Sequence, residues 1–115
     1  MKKDPKFFIV HIYESILAIE KYTKAFSYEK FLKNIQLQDA VIRRLEIIGE
    51  ATKNLPLNFR EKYSDISWKK MTGTRDIISH EYFGVDFPVI WEIIKKDLKP
   101  LKIKIINLLE NLNSD

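Results

Sequence analysis

Apolar residues recur every three or four positions along most of this chain, and this spacing constrains the fold more than any other feature. The clearest runs lie within residues 8–19, 40–55 and 89–112. Such a period places apolar side chains on one face of an α-helix, whereas a strand would require strict alternation of apolar and polar residues. No segment alternates over the length of a strand. The sequence therefore predicts an all-α fold, most simply an up-down bundle of four main helices with an additional short helix.

Residues that favour helix starts mark where the predicted helices begin. Asp4 followed by Pro5 predicts the start of the first helix, and Asp86 that of the last. Ser27 can cap a second helical segment, which we interpret as a short helix bending into the long central helix near Leu37.

Two prolines interrupt the longer helical patterns. Proline lacks the backbone N–H that a helix interior requires, so Pro56 should end the central helix and Pro100 should kink or divide the last one. After Pro56 we expect a connector with one or two helical turns. Ser67 then predicts the cap of a short helix that ends near Gly84.

The composition limits both the size of the protein and its chemistry. A chain of 115 residues corresponds to one ordinary domain, here residues 1–115. The absence of cysteine excludes disulfides, thiolate nucleophiles and cysteine-based metal sites. The chain has two histidines, His11 and His80, and His11 has no second His, Cys or carboxylate at metal-ligand spacing. We therefore expect no metal and no cofactor.

The charge is mildly basic and the chain carries no obvious targeting segment. Twenty Lys and Arg residues against sixteen Asp and Glu residues give a net charge of +4, which permits binding to a polyanion without requiring it. Asp4 and Pro5 follow the initial Met-Lys-Lys at once, and no apolar run approaches the length of a membrane span. We expect a soluble cytoplasmic protein with no membrane partner.

Polar residues that could take part in catalysis cluster between positions 75 and 82. The segment contains Arg75, Asp76, Ser79, His80 and Tyr82. On an ideal helix Arg75, Ser79 and Tyr82 share a face, whereas His80 is offset from Arg75 by about 140°. Arg75 and His80 can act on one phosphate only if the helix unwinds near His80 or if the second residue comes from another subunit.

A histidine and an arginine are sufficient for cleavage of RNA without a metal. The imidazole can remove the proton of the 2′-hydroxyl or protonate the leaving 5′-oxygen, and the guanidinium can stabilise the charge on the phosphoryl oxygens. Two pairs related by a two-fold axis would supply one histidine for each proton transfer. The structural alternative is that Arg75 pairs with a helical glutamate while His80 donates to a carbonyl at a helix end.

The order of these residues resembles a known signature. Residues 75–82 read Arg, four residues, His, one residue and Tyr, which is similar to the signature of the HepT family, the toxin-type HEPN ribonucleases. The likeness continues in residues 40–51 and 66–75 and in the last helix, so that it covers roughly residues 4–101. It implies a HEPN-type bundle that forms a homodimer with a metal-independent ribonuclease site at the subunit interface.

The resemblance also implies roles for the residues of the motif. Arg75 and His80 correspond to the catalytic pair, supported by Asp76 and Ser79; the position of Asp76 is more often Asn in the family. The family's toxin is paired with a small nucleotidyltransferase antitoxin (MntA-like), which in some members transfers AMP to the motif tyrosine, here Tyr82. Adenylylation adds bulk and negative charge beside the catalytic pair, where an RNA phosphate should lie. The competing hypothesis is a helical binding module that docks the nucleotidyltransferase without catalysis.

Other polar residues carry weaker signals. His11 on the first helix favours a structural role. Glu46 and Glu50 lie one turn apart and are typical of an ion-paired stripe, although they could meet Arg75 or a partner subunit's arginine. Trp68 is most simply a core residue, with stacking on an RNA base as the alternative.

A dense group of lysines lies in the last predicted helix. We interpret it as a solvated helix face, and the functional alternative is a non-specific phosphate track that guides RNA, such as tRNA or mRNA, toward the site. Its members are Lys95, Lys96, Lys99, Lys102 and Lys104.

Overall fold

The computed structural model describes residues 3–73 and 85–114, and in these residues all the regular structure is helical. The elements are α1 (Pro5–Thr23), α2 (Tyr28–Leu32), α3 (Ile35–Lys53), α4 (Leu57–Lys62), α5 (residues 68–73), α6 (Phe87–Glu92), a π-helical turn (Ile93–Asp97) and α7 (Leu98–Asn113). The all-α prediction is confirmed. The expected end of α5 near Gly84 lies outside the described residues.

Three of the four predicted helix caps are confirmed by side-chain hydrogen bonds. Each side chain accepts a hydrogen bond from a backbone N–H in the first turn of its helix: Asp4 at 2.9 Å, Ser27 at 3.2 Å and Asp86 at 3.2 Å. These bonds satisfy donors that have no partner within the helix, which is why Ser and Asp favour these positions.

The junction between α2 and α3 is a break rather than the predicted bend. Asn34 interrupts the helix and caps α3, because its side-chain oxygen accepts the N–H of Leu37 at 2.9 Å. The buried amide of Gln38 then donates to the carbonyl oxygens of Phe31 at 2.9 Å and Leu32 at 3.1 Å. One side chain of α3 thus holds the end of α2, and local apolar spacing contains no sign of this contact.

The described long helices run up and down around one core. α1 packs against α3 and α7. Phe7 near the start of α1 and Asn54 just after α3 line the same groove, so these two helices are antiparallel. Glu20 near the end of α1 pairs with Lys102 near the start of α7 at 3.0 Å, which makes this pair antiparallel as well. The side chains without exposed surface include Ile9, Ile12, Ile16, Ile19, Phe31, Val41 and Ile105.

The last long helix is divided close to the predicted position. Pro100 lies in the first turn of α7, where a missing N–H costs little. The division itself is the π turn, in which the N–H of Leu98 donates to the carbonyl of Ile93, five residues earlier. In the segments that the structure describes, no helix is long and apolar enough to cross a membrane.

Candidate functional site

The five residues predicted to form the site lie outside the described residues. Arg75, Asp76, Ser79, His80 and Tyr82 all fall between positions 73 and 85, so their roles stay predictions. The structure does describe the two segments that flank them, and these determine how the motif is attached to the bundle.

The segment before the motif is anchored by Trp68. Its side chain is only 6% exposed, and its indole N–H donates to the carbonyl oxygens of Arg60 and Tyr63, each at 3.1 Å. The N–H of Met71 donates to the carbonyl of Ser67 at 3.3 Å, which places Ser67 at the predicted start of α5. Trp68 is therefore a core residue that fixes α5 to the connector, and the stacking alternative is wrong because the ring is buried.

We expect Trp68→Phe to lower the free energy of unfolding by about 1–3 kcal/mol, because the substitution leaves two partly buried carbonyls without their donor. Urea denaturation followed by circular dichroism measures the change. Trp91→Phe is the matched control, since Trp91 is half-buried and packs by its ring. An equal loss in both variants would contradict the anchoring role of the Trp68 indole N–H.

The segment after the motif is held against α2 by aromatic packing. Asp86 caps α6, and the Phe87 ring meets Phe31 edge-to-face with a centroid distance of 5.8 Å. The Trp91 ring lies 5.1 Å from the same phenylalanine. The motif thus connects two segments that are each packed onto the core.

A cavity of about 180 Å³ lies between α3, α5 and the π turn with α7. We call it the lysine groove. Its described lining consists of apolar residues, which we call the floor, and polar residues, which we call the rim. The floor comprises Leu45, Ile48, Met71, Ile93, Leu98, Pro100 and Leu101, and the rim comprises Ser67, Lys70, Lys96, Asp97 and Lys104.

The rim lysines are positioned by polar contacts of different strength. Lys70 Nζ lies 3.0 Å from Asp97 Oδ2, and Lys104 Nζ donates to the carbonyl of Asp65 at 2.6 Å. Lys96 Nζ is 3.5 Å from Glu92 Oε1 in a pair that is largely exposed, and such pairs contribute little stability. Lys70 was not singled out from the sequence, because only the fold brings it beside the lysines of the last helix.

The predicted lysine group does not form a single track. Lys102 pairs with Glu20, and Lys95 Nζ lies 4.8 Å from the centre of the Trp91 ring. Only Lys96 and Lys104 of the five line the lysine groove. Lys99 is exposed and does not line the lysine groove, so the five lysines do not share one set of surroundings.

A second groove, of about 320 Å³, lies between α1 and α3. His11, Arg43, Glu46 and Glu50 line it, and the His11 ring packs against the Phe7 ring at a centroid distance of 4.5 Å. The two glutamates thus share a groove with an arginine, and the ion-paired stripe stays a prediction. In residues 3–73 and 85–114, no group of three or more His, Asp or Glu residues could hold a metal ion.

Comparison with known families decides which protein class this bundle represents. The sequence profile described as "Ribonuclease HepT-like" matches residues 12–108. This chain belongs to the HepT-like ribonuclease family. The matched range includes positions 75–82, and the all-α fold of the described residues is the one that the resemblance implied.

Curated relatives of this chain carry ribonuclease names. It is 51% identical over 115 residues to "Gamma-glutamylcyclotransferase and putative RNase" of Methanocaldococcus jannaschii, which covers 100% of this chain and 52% of that protein. It is 43% identical over 108 residues to "Putative RNase" of Caldanaerobacter subterraneus subsp. tengcongensis, covering 94% and 96% of the two chains. It is 44% identical over 104 residues to "Probable ribonuclease HepT" of Thermococcus cleftensis, covering 90% and 94%. The chain thus spans about half the length of the first relative and nearly all of the other two, and no solved structure matches it.

Proposed function

We propose that this HepT-like ribonuclease is an endonuclease that cleaves RNA without a metal ion, with Arg75 and His80 as its catalytic pair. The observation that carries the proposal is the family match, because it extends over residues 12–108 and includes both residues. Relatives matched over nearly their whole length are named as ribonucleases, which supports the same activity.

The proposed reaction is an internal transesterification. His80 removes the proton of a 2′-hydroxyl, the freed oxygen attacks the adjacent 3′-phosphate, and the bond to the 5′-oxygen breaks after that oxygen is protonated. The products are a 2′,3′-cyclic phosphate and a 5′-hydroxyl end. Arg75 donates hydrogen bonds to the phosphoryl oxygens as negative charge accumulates on them, with Asp76 and Ser79 in supporting roles.

The proposed site requires two copies of the chain. One chain offers a single histidine in the motif, whereas the reaction needs a base and an acid. A homodimer of 1–115 domains, with the two motifs meeting at a two-fold axis, supplies a histidine for each step and doubles the charge of +4 to about +8 toward RNA.

We further propose that the protein is the toxin of a toxin–antitoxin pair. Its partner would be a small nucleotidyltransferase that transfers AMP to Tyr82, two residues from His80. The added phosphate would repel the RNA backbone and occlude the catalytic pair. This role is supported by the family match and by the tyrosine at the end of the motif.

Incubation of the purified protein with total RNA in EDTA tests the proposal. We expect cleavage in EDTA, with 2′,3′-cyclic phosphate ends on the products, because no step uses a metal. Cleavage only after a divalent metal is added would contradict the mechanism. Tight binding of the nucleotidyltransferase, with no RNA cleavage at any protein concentration, would instead identify a non-catalytic docking module.

A further inference from the structure

We infer that the lysine groove binds one unpaired nucleotide of the RNA substrate, with the base on the apolar floor and the phosphate at the rim. The inference rests on the proposed ribonuclease function and adds a substrate-binding site outside the Arg75–His80 motif. Three features of the groove carry it: its size, its charge and its place along the chain.

The size and lining of the groove fit a single planar base. Pockets for drug-sized ligands usually measure about 300–1,000 Å³, and the lysine groove, at about 180 Å³, is smaller. Its floor includes Ile93, Pro100 and Leu101, which are half-buried or exposed and offer apolar surface to the face of a ring. Unpaired bases of single-stranded RNA are commonly bound by insertion and stacking among side chains.

The charge of the rim complements a phosphate. The charged residues in the described lining are three lysines and one aspartate, which gives a net charge of +2: Lys70, Lys96, Lys104 and Asp97. An ammonium group has three N–H donors, so Lys104 can bind a phosphate oxygen while it keeps its bond to the Asp65 carbonyl. The pair of Lys96 with Glu92 is exposed and loosely spaced at 3.5 Å, so an RNA phosphate can compete for this lysine at low cost.

The position of the groove links it to the motif. Met71 lies on its floor, and Arg75 follows Met71 by four residues. Four residues of fully extended chain span at most about 14 Å, so the Cα atoms of these two residues lie within that distance whatever the intervening conformation. A nucleotide in the groove is therefore close along the RNA strand to the phosphate that Arg75 would bind.

Binding of fluorescent single-stranded RNA to a His80→Ala background tests the inference without cleavage of the probe. The charge variant is Lys96→Gln/Lys104→Gln, and the matched control is Lys6→Gln/Lys30→Gln, which removes two exposed lysines of α1 and α2. We expect roughly ten-fold weaker binding only in the groove variant. The slope of the logarithm of the binding constant against the logarithm of the salt concentration should become shallower by about 0.7, because the groove contacts one phosphate and each single-strand phosphate contact contributes about 0.7.

A second variant separates the base from the phosphate. Leu101→Trp fills the groove without changing its charge; it should weaken binding of the ordinary probe and leave binding of an abasic probe of the same length unchanged. A thermal melt of this variant verifies that it is folded. Equal binding of both probes to Leu101→Trp and to the parent protein would overturn the placement of the base.

The remaining outcomes distinguish the inference from the proposed function. Equal weakening by the control pair would show a general charge effect and overturn the groove as a site. Loss of nucleotidyltransferase binding, with RNA affinity unchanged, would assign the groove to a protein partner and also overturn it. If the His80-intact protein fails to cleave RNA while the groove variant still loses RNA affinity, the proposed function fails and the groove stands as a nucleotide-binding site.

Discussion

Replacement of His80 with Ala is expected to lower the rate of RNA cleavage by roughly 10²–10⁴-fold, the usual contribution of a general acid or base. In the proposed dimer both proton transfers depend on this residue, because each copy supplies one of the two imidazoles. Arg75 remains in the variant, so phosphate binding should persist and the loss should fall on kcat rather than KM. Single-turnover cleavage of a labelled RNA in EDTA, with the protein in excess, measures the change.

The other histidine provides the matched control. His11 packs against Phe7 in the groove between α1 and α3, and the proposed mechanism assigns it no step. His11→Ala should therefore retain the cleavage rate of the parent protein. A His80→Ala protein that is as active as the parent, or an equal loss in the two variants, would remove His80 from the catalytic pair.

Phe31→Ala is expected to lower the free energy of unfolding by about 3–5 kcal/mol, the range for truncating a buried phenylalanine. The Phe31 side chain has no exposed surface and contacts the rings of Phe87 and Trp91. Its loss leaves a cavity between α2 and α6 and removes both aromatic contacts. Domains of this size typically have a total stability of about 5–15 kcal/mol, so the loss is a large fraction of the whole.

Leu32→Ala is the control for this substitution. Leu32 is adjacent in α2, but 42% of its surface is exposed, so truncation should cost much less. Urea denaturation of the two variants gives the comparison. Because Phe31 holds the segment that follows the motif, the Phe31→Ala protein should also lose RNA cleavage at a lower urea concentration than the Leu32→Ala protein. Similar stabilities for the two variants would contradict the role given to Phe31.

The parts of the fold that depend on local chemistry could be predicted from the sequence. Asp4, Ser27 and Asp86 cap helices as expected, since a cap needs only a short polar side chain at the end of an apolar periodic run. The break at Asn34 was not predicted, because apolar residues continue on both sides of it and the amide of Gln38 holds the two ends together. A buried glutamine depends on where two carbonyls lie in space, which periodicity does not encode.

One part of the candidate site could be predicted from the sequence and the other could not. The Arg75–His80 motif is contiguous in the sequence and could be recognised there, together with the family to which the chain belongs. The lysine groove could not, since Lys70 and Lys104 are far apart in the chain and meet only through the packing of α5 beside α7. Site residues that lie in one short segment can be recognised from the sequence, whereas a surface formed by two separate helices cannot.

The π turn at Ile93–Asp97 fixes the angular phase between the two halves of the last helix. A π turn holds one residue more than an α-helical turn, so deleting a residue there would leave a continuous α-helix in which Ile90 and Leu98 are seven positions apart instead of eight. Seven α-helical residues turn by about 700°, so Ile90 and Leu98 would lie only about 20° apart, and both would stay in the core where they are buried now. The π turn therefore accommodates one extra residue without moving either half out of the core, and a single deletion there should be tolerated better than one in the middle of α3.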